Sequence, residues 1–258
     1  MARGLDAFAT HDSLFLMSAA ETQLSDAEII ALELGSKKAG ERIKWLYDTY
    51  GDRVMASTSF GLQAAVMLHL ISENAPKMPV AFVDTGYLFP ETYKYIDTLT
   101  ERFDVDLRVY NPKLTAARQE ALYGQLWEQG EEGNQKYGII NKVEPMDRAI
   151  KDIGADIWLS GLRRSQSSTR KDRAFAEQQS ATIKAYPILD WADAQVNVYY
   201  NMHELPRHPL EAEGYVTMGD WHSTVPVTEG MSAEDTRYGG QKYECGLHLD
   251  NKVSDFQI

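Results

Sequence analysis

The chain has 258 residues, 43% of them apolar and 25% charged, so it can bury a large core and lacks the composition of a disordered segment. A formal charge of −12 repels nucleic-acid phosphates and anionic lipid alike, which argues against either partner and requires any anionic ligand to meet a local basic patch. One cysteine excludes an internal disulfide and cannot alone furnish the thiolates of a zinc or iron-sulfur site.

No stretch reaches the roughly 18 consecutive apolar residues that a membrane span requires. Met1 to Asp6 lacks the basic-then-apolar order of a secretory signal, so the sequence predicts a cytoplasmic protein. Ser25-Asp26-Ala27-Glu28 has capping-box spacing, and Ile29, Ile30, Leu32 and Leu34 after it predict a helix that Gly35 interrupts. A second helix is expected from Lys38 to Tyr50, then a strand over Arg53 to Ala56 and an apolar helix from Leu62 to Leu70.

The alternation repeats. Val80 to Val83 reads as a buried strand, Pro90 opens a helix reaching Phe103, and Leu107 to Tyr110 is a third strand. Tyr123 to Gly138 reads as a polar, glycine-containing loop, Lys142 to Ile153 as a helix, and Ile157 to Ser160 as a fourth strand. Lys184 to Ile188 is the candidate fifth strand, and a helix follows across Trp191 to Met202. Such βαβ units imply an α/β fold with a doubly wound, mostly parallel sheet that takes ligands at the carboxyl ends of its strands.

From Glu204 onward the periodicity disappears among glycines and prolines. The expected organisation is an N-terminal helical extension over 1–37, an α/β domain over 38–203, and an irregular tail over 204–258 that packs on it.

Ser57-Thr58-Ser59-Phe60-Gly61 falls at a strand-to-helix junction, where hydroxyls, backbone N–H groups and a helix N-terminus suit an anion; a plain capped turn explains it equally well. No Gly-Lys-Ser/Thr follows, so this is not a P-loop. Asp84-Thr85-Gly86 lies at the same sheet edge, with a simple Asp-x-Gly turn as the competing account. Gly161 to Arg173, with Arg163, Arg164, Arg170, Lys171 and Arg173, is a concentrated cationic loop interleaved with hydroxyls, suited to phosphate or sulfate. Lys142 and Lys184 are candidates to join it.

Glu244-Cys245-Gly246-Leu247-His248 closes the informative sequence. A free cysteine is by default a small buried apolar group, but Arg237, Lys242 and His248 supply nearby charge that favours a thiolate. The spacing of His203 and His208 and the isolation of the other histidines predict no metal site.

Taken in order, the Ser57 to Gly61 loop, Asp84 to Thr92, Asn141-Lys142-Val143-Glu144-Pro145-Met146, the Gly161 to Arg170 loop and the Glu244 to His248 pentapeptide resemble the phosphoadenylyl-sulfate (PAPS) reductase family over Lys38 to His248. The resemblance implies an adenine-nucleotide α-hydrolase-like fold and a reaction in which Cys245 attacks the sulfur of PAPS. The cysteine becomes S-sulfocysteine as adenosine 3',5'-bisphosphate leaves, and thioredoxin or glutaredoxin then releases sulfite. By similarity, Ser57, Ser59 and Gly61 hold the sulfate and 5'-phosphate region, and Asp84 and Thr85 lie beside the nucleoside. Lys142, Arg163, Arg164, Arg170, Arg237 and His248 neutralise the anionic groups.

The resemblance also implies a homodimer. Relatives that prefer adenylyl sulfate (APS) carry an iron-sulfur cluster on paired cysteines, where this chain has Tyr137-Gly138 and Asp220-Trp221-His222-Ser223, so a cluster-free enzyme of PAPS is expected. Two other readings compete. A nucleotidyl-transferase or ATP-pyrophosphate-cleaving enzyme of the same superfamily would need a Ser-Gly-Gly-x-Asp-Ser loop that this chain lacks. A non-catalytic sensor of adenosine bisphosphate would not need Cys245.

Overall fold

The computed structural model describes residues 24–233 and 235–238. Ser25 and Glu28 form the capping box: the serine hydroxyl accepts the Glu28 N–H, and the Glu28 carboxylate accepts the Ser25 N–H at 2.8 Å. They open α1 (Asp26–Gly35), which is followed by α2 (Ala39–Tyr50). The alternating units are β1 (Val54–Thr58), α3 (Ala64–Asn74), β2 (Pro79–Val83), α4 (Pro90–Arg102) and β3 (Asp106–Tyr110).

Next come α5 (Ala116–Tyr123), α6 (Gly130–Gly138), α7 (Glu144–Ile153), β4 (Ile157–Leu159), β5 (Ala176–Gln179), β6 (Thr182–Ala185) and α8 (Asp193–Met202). Among the described residues the strands form one sheet in the order β3-β2-β1-β4-β6-β5. All neighbours are parallel except β5 and β6. The chain runs outward from β1 in one direction and from β4 in the other. The carboxyl ends of these two adjacent strands therefore form the switch point where an open α/β sheet leaves a crevice.

Strand alternation assigns the two faces. Val54, Ala56, Val80, Phe82, Ile157 and Leu159 pack with α2, α3, α4 and α8 in the main core. Met55, Ala81 and Trp158 point to the opposite face and are covered by Met146 and Ala149 of α7. Each such Val, Leu, Ile, Phe or Met side chain withdrawn from water contributes about 1.5–3 kcal/mol. Residues flanking the α/β units join the first core, including Ile30 and Leu34 of α1 and Leu205 just beyond α8. No helix among the described residues is long and apolar enough to cross a membrane.

Two expectations need correction. Tyr123 to Gly138 is not a loop: it closes α5, makes one short turn at Leu126–Glu128 and forms α6. Its glycines serve tight geometry. Gly130 has φ +67°, and a Cβ on Gly133 would collide with the Leu126 carbonyl oxygen. The strand expected at Lys184 to Ile188 spans Thr182–Ala185 and is preceded by the antiparallel β5, whose Ala-Glu-Gln-Gln sequence carries no strand alternation.

Candidate active site

At the end of β1 the chain turns sharply. Phe60 has φ +49°, an uncommon conformation for a side chain with a Cβ, costing on the order of 1 kcal/mol. Its ring is fully buried, edge-on to Phe82 at 5.0 Å, and its N–H donates to Thr58 Oγ1, which holds the turn. Ser59 is exposed beside it, and Ser57 Oγ accepts the Trp158 indole N–H at 2.7 Å. Gly61 lies against Met218, whose Cβ is 3.8 Å from where a glycine Cβ would sit. The tail thus returns to the β1 loop.

Asp84 follows β2. Its Oδ1 accepts the Gly86 N–H at 2.9 Å and the Tyr93 hydroxyl at 2.8 Å, an Asp turn fixed from α4. Thr85 is buried and donates to Asp220 Oδ1 at 2.6 Å, while its own Oγ1 accepts the Tyr87 N–H. Asp220 arrives from the tail, paired with Leu88 through a β-bridge, and the Trp221 N–H donates to the Tyr87 carbonyl.

Lys142 reaches the same carboxylate. Between α6 and α7 the helix widens over Ile139–Val143 into a π-turn, a distortion often found at functional positions. A reciprocal amide pair between Asn141 and Gln119, at 2.8 and 2.9 Å, fixes it. The Lys142 ammonium then lies 2.6 Å from Asp220 Oδ2 and 3.5 Å from the Tyr238 hydroxyl. Burial alone would raise the Asp220 carboxyl, but Lys142 and the Thr85 hydroxyl outweigh it and hold it below the ordinary range.

Tyr137 and His222 come from the two stretches that the resemblance pairs with cluster cysteines, and their rings meet edge-on at 4.8 Å. His222 also stacks on Trp127 at 4.1 Å and 12°. Burial, opposed by Asp220, pushes the His222 imidazole down to about 4. Among the described residues no three His, Cys, Asp or Glu side chains group as metal ligands.

The cationic loop after β4 is organised by its own arginines. Arg163 is 2% exposed and donates to Asp193 Oδ1 at 2.7 Å, to Ser165 Oγ at 2.9 Å, to the Trp191 carbonyl and to Gln63 Oε1. Arg164 donates twice to the Arg173 carbonyl and lies over Phe175. Arg170, also buried, donates to Gln166 Oε1 at 2.7 Å. Lys184 is enclosed on the sheet, 3.7 Å from the Trp158 ring centroid.

Arg237 is the cation the tail contributes. It is buried, bridged to Thr224, and donates to the Met218 carbonyl at 2.7 Å. Gly219 makes room: a Cβ there would fall 2.5–2.9 Å from the guanidinium atoms. Cys245 and His248 lie outside the described residues.

The sequence as a whole decides the family. A model of the phosphoadenosine phosphosulfate reductase domain matches residues 53–226. The chain belongs to the phosphoadenosine phosphosulfate reductase family. It is 48% identical over 223 residues to the phosphoadenosine 5'-phosphosulfate reductase of Alkalilimnicola ehrlichii, covering 86% of this chain and 91% of that one. The Zymomonas mobilis protein of the same name is 48% identical over 228 residues, with 88% and 92% covered.

Among solved structures, the PAPS reductase of Candida auris in a phosphate complex superimposes with a TM-score of 0.69 at 30% identity, over 79% of this chain and 98% of that one. The FMN adenylyltransferase of Candida glabrata, at 13% identity and a TM-score of 0.54 over 83% and 73% of the chains, shares the fold. The doubly wound α/β sheet expected from the sequence is the one observed.

Within the frame of this reductase family, the fold gathers the Ser57 loop, Thr85, Lys142 and Arg237 at one sheet edge, linked through Met218 and Asp220. Four neighbours carry no assigned role in the sequence reading: Gln63, Trp158, Gly219 and Asp220. Asp220 had one signal, being a lone acid in an otherwise uncharged run from Gly214 to Val225 apart from His222. Trp158 had none, because it reads as part of an apolar strand.

Proposed function

We propose that the chain reduces PAPS to sulfite and adenosine 3',5'-bisphosphate, with reduced thioredoxin or glutaredoxin as external donor. The observation that most supports this reading is the return of Met218 to Asp220, with Arg237, onto the ends of β1 and β2. Two buried cations from distant parts of the sequence, Lys142 and Arg237, are thereby tied to the serine loop at the switch point.

In this reading the phosphosulfate lies at the end of β1 and accepts hydrogen bonds from Ser57, Ser59 and the backbone near Gly61, with Asp84 and Thr85 beside the nucleoside. Lys142, Arg170, Arg237 and His248 surround its oxygens. Arg163 and Arg164 add charge while holding the loop in shape. The Cys245 thiolate attacks sulfur: an S–S bond forms, the S–O bond breaks, and the electron pair leaves on the 5'-phosphate, where the cations spread it.

A thioredoxin thiolate then attacks the Cys245 sulfur and expels sulfite with the S–S bonding pair. The second thioredoxin thiol closes the carrier's own disulfide and returns Cys245 as thiolate. The two electrons come from the partner because this chain holds one cysteine. Cys245 is seven positions beyond Tyr238, a reach of at most roughly 25 Å from a tyrosine whose hydroxyl lies 3.5 Å from the Lys142 ammonium. The proposal includes a cytoplasmic homodimer with no bound cofactor, in which 38–203 binds nucleotide, 204–258 delivers the nucleophile and 1–37 is an extension.

The test supplies PAPS, APS or ATP with reduced thioredoxin and measures sulfite and pyrophosphate. Sulfite from PAPS is expected; its absence from both sulfated nucleotides refutes the proposal, and pyrophosphate from ATP replaces it with nucleotidyl chemistry. Cys245→Ser should bind adenosine 3',5'-bisphosphate yet show no S-sulfonate adduct by mass spectrometry.

A further inference from the structure

Trp158 sits on β4 opposite Met55 of β1, and Ser57 lies two residues further along β1, on the same face. On the other side, Trp158 is opposite Lys184 of β6, whose fully buried ammonium lies 3.7 Å from the indole centroid. Trp158 is 4% exposed and packs with Met146 and Ala149 of α7. Its N–H meets Ser57 Oγ at 2.7 Å.

The direction of that bond is fixed by chemistry. An indole nitrogen donates and cannot accept, so Ser57 must be the acceptor. A serine hydroxyl has one proton and two lone pairs; with a lone pair engaged by Trp158, its proton remains available to donate elsewhere. A carbonyl or carboxylate in place of the indole would draw that proton inward and turn a lone pair toward the ligand, which repels an anion.

We propose that Trp158 is a positioning residue that sets the polarity of Ser57, so that the hydroxyl donates to an oxygen of the sulfate or 5'-phosphate group. This rests on the reading of the β1 loop as the phosphosulfate site. Lys184 clamps the indole face and keeps the N–H aimed at Ser57.

The experiment is a double-mutant cycle of Trp158→Phe and Ser57→Ala. Sulfite formation from PAPS and calorimetric binding of adenosine 3',5'-bisphosphate are measured on all four proteins. The indole N–H proton resonances are recorded alongside. Trp158→Phe should raise the KM for PAPS roughly 3- to 10-fold with kcat little changed, the effect of one modest hydrogen bond. In the Ser57→Ala background it should add nothing.

The resonance missing from the Trp158→Phe spectrum should shift in Ser57→Ala while the other indoles stay in place. Additive effects in the cycle, or a Trp158 resonance indifferent to Ser57→Ala, overturn the proposal. If Trp158→Phe does not fold, the Ser57→Ala spectrum with Trp158 assigned through its backbone neighbours decides alone. If the wild-type chain yields no sulfite, the reductase reading fails, and the same cycle read on bisphosphate affinity still decides the role of Trp158. Absence of bisphosphate binding overturns both.

Discussion

The Lys142 ammonium and the Asp220 carboxylate meet at 2.6 Å, with the acid side chain 1% exposed and joined on its other oxygen by Thr85. Removing one partner of a buried ion pair is costly, about 3–5 kcal/mol. Asp220→Asn should therefore lower stability by that order while preserving shape. An anionic ligand would restore the missing charge, so adenosine 3',5'-bisphosphate should raise the melting temperature of Asp220→Asn more than that of the wild type. Equal ligand shifts in the two proteins would show that Lys142 does not face the ligand.

Gly219 is held to glycine by Arg237. A methyl group at 219 would overlap the guanidinium, which would have to leave the Met218 carbonyl. A charge-assisted contact to a ligand is worth roughly 1.5–3 kcal/mol, which corresponds to about a 10- to 150-fold loss of affinity. Gly219→Ala should weaken bisphosphate binding within that range and lower the melting temperature of the unliganded protein modestly, through the lost Arg237 bond to the Met218 carbonyl. Unchanged affinity by calorimetry would remove Arg237 from the ligand's surroundings.

The parallel core was legible in the sequence because buried strands read as apolar runs between turn residues, as at Val80 to Val83, and because Ser25 and Glu28 announce a helix start. The segment from Tyr123 to Gly138 was not. Its low intrinsic helix propensity is overridden by tertiary contacts, with Tyr137 packed on Tyr87 and Trp127. The same limit applies at the site. Arginine density after β4 predicted anion binding, but which guanidiniums serve the loop itself depends on backbone carbonyls, such as those of Arg173 and Trp191, that only the fold brings near. Asp220 meets Thr85 and Lys142 from the tail, and Trp158 meets Ser57 from the neighbouring strand, contacts that no local pattern encodes.

Arg42 joins three parts of the fold. Its guanidinium takes Asp190 in a two-pronged bond at 2.7 and 2.9 Å, donates to the Leu34 and Pro187 carbonyls at 2.7 Å each, and lies 4.1 Å from the Phe175 ring centroid. A lysine offers no planar fork and cannot serve these acceptors together. Arg42→Lys should cost about 2 kcal/mol by urea unfolding, through buried carbonyls left unpaired. A loss below about 0.5 kcal/mol would mean that water or a rearranged α1 terminus replaces the guanidinium.

His208 makes the fold sensitive to acid. Its Nδ1 accepts the Leu210 N–H at 3.2 Å, so the proton is on Nε2, which donates to Thr92 Oγ1 at 3.0 Å. Burial, only partly opposed by Glu91, pushes the imidazole down to about 4 from an ordinary 6.5. Between these values the unfolded chain binds a proton that the folded chain does not, so stability rises with pH. The contribution is complete above about 6.5 and is lost as pH falls toward 4. The part of it lost by pH 5 is on the order of 2 kcal/mol. His208→Gln has no such titration and retains a polar group at the position. The stability advantage of wild type over His208→Gln, measured by urea unfolding, should therefore narrow by about that amount from about pH 7.5 to pH 5. A gap that stays constant or widens would place the imidazole's titration elsewhere.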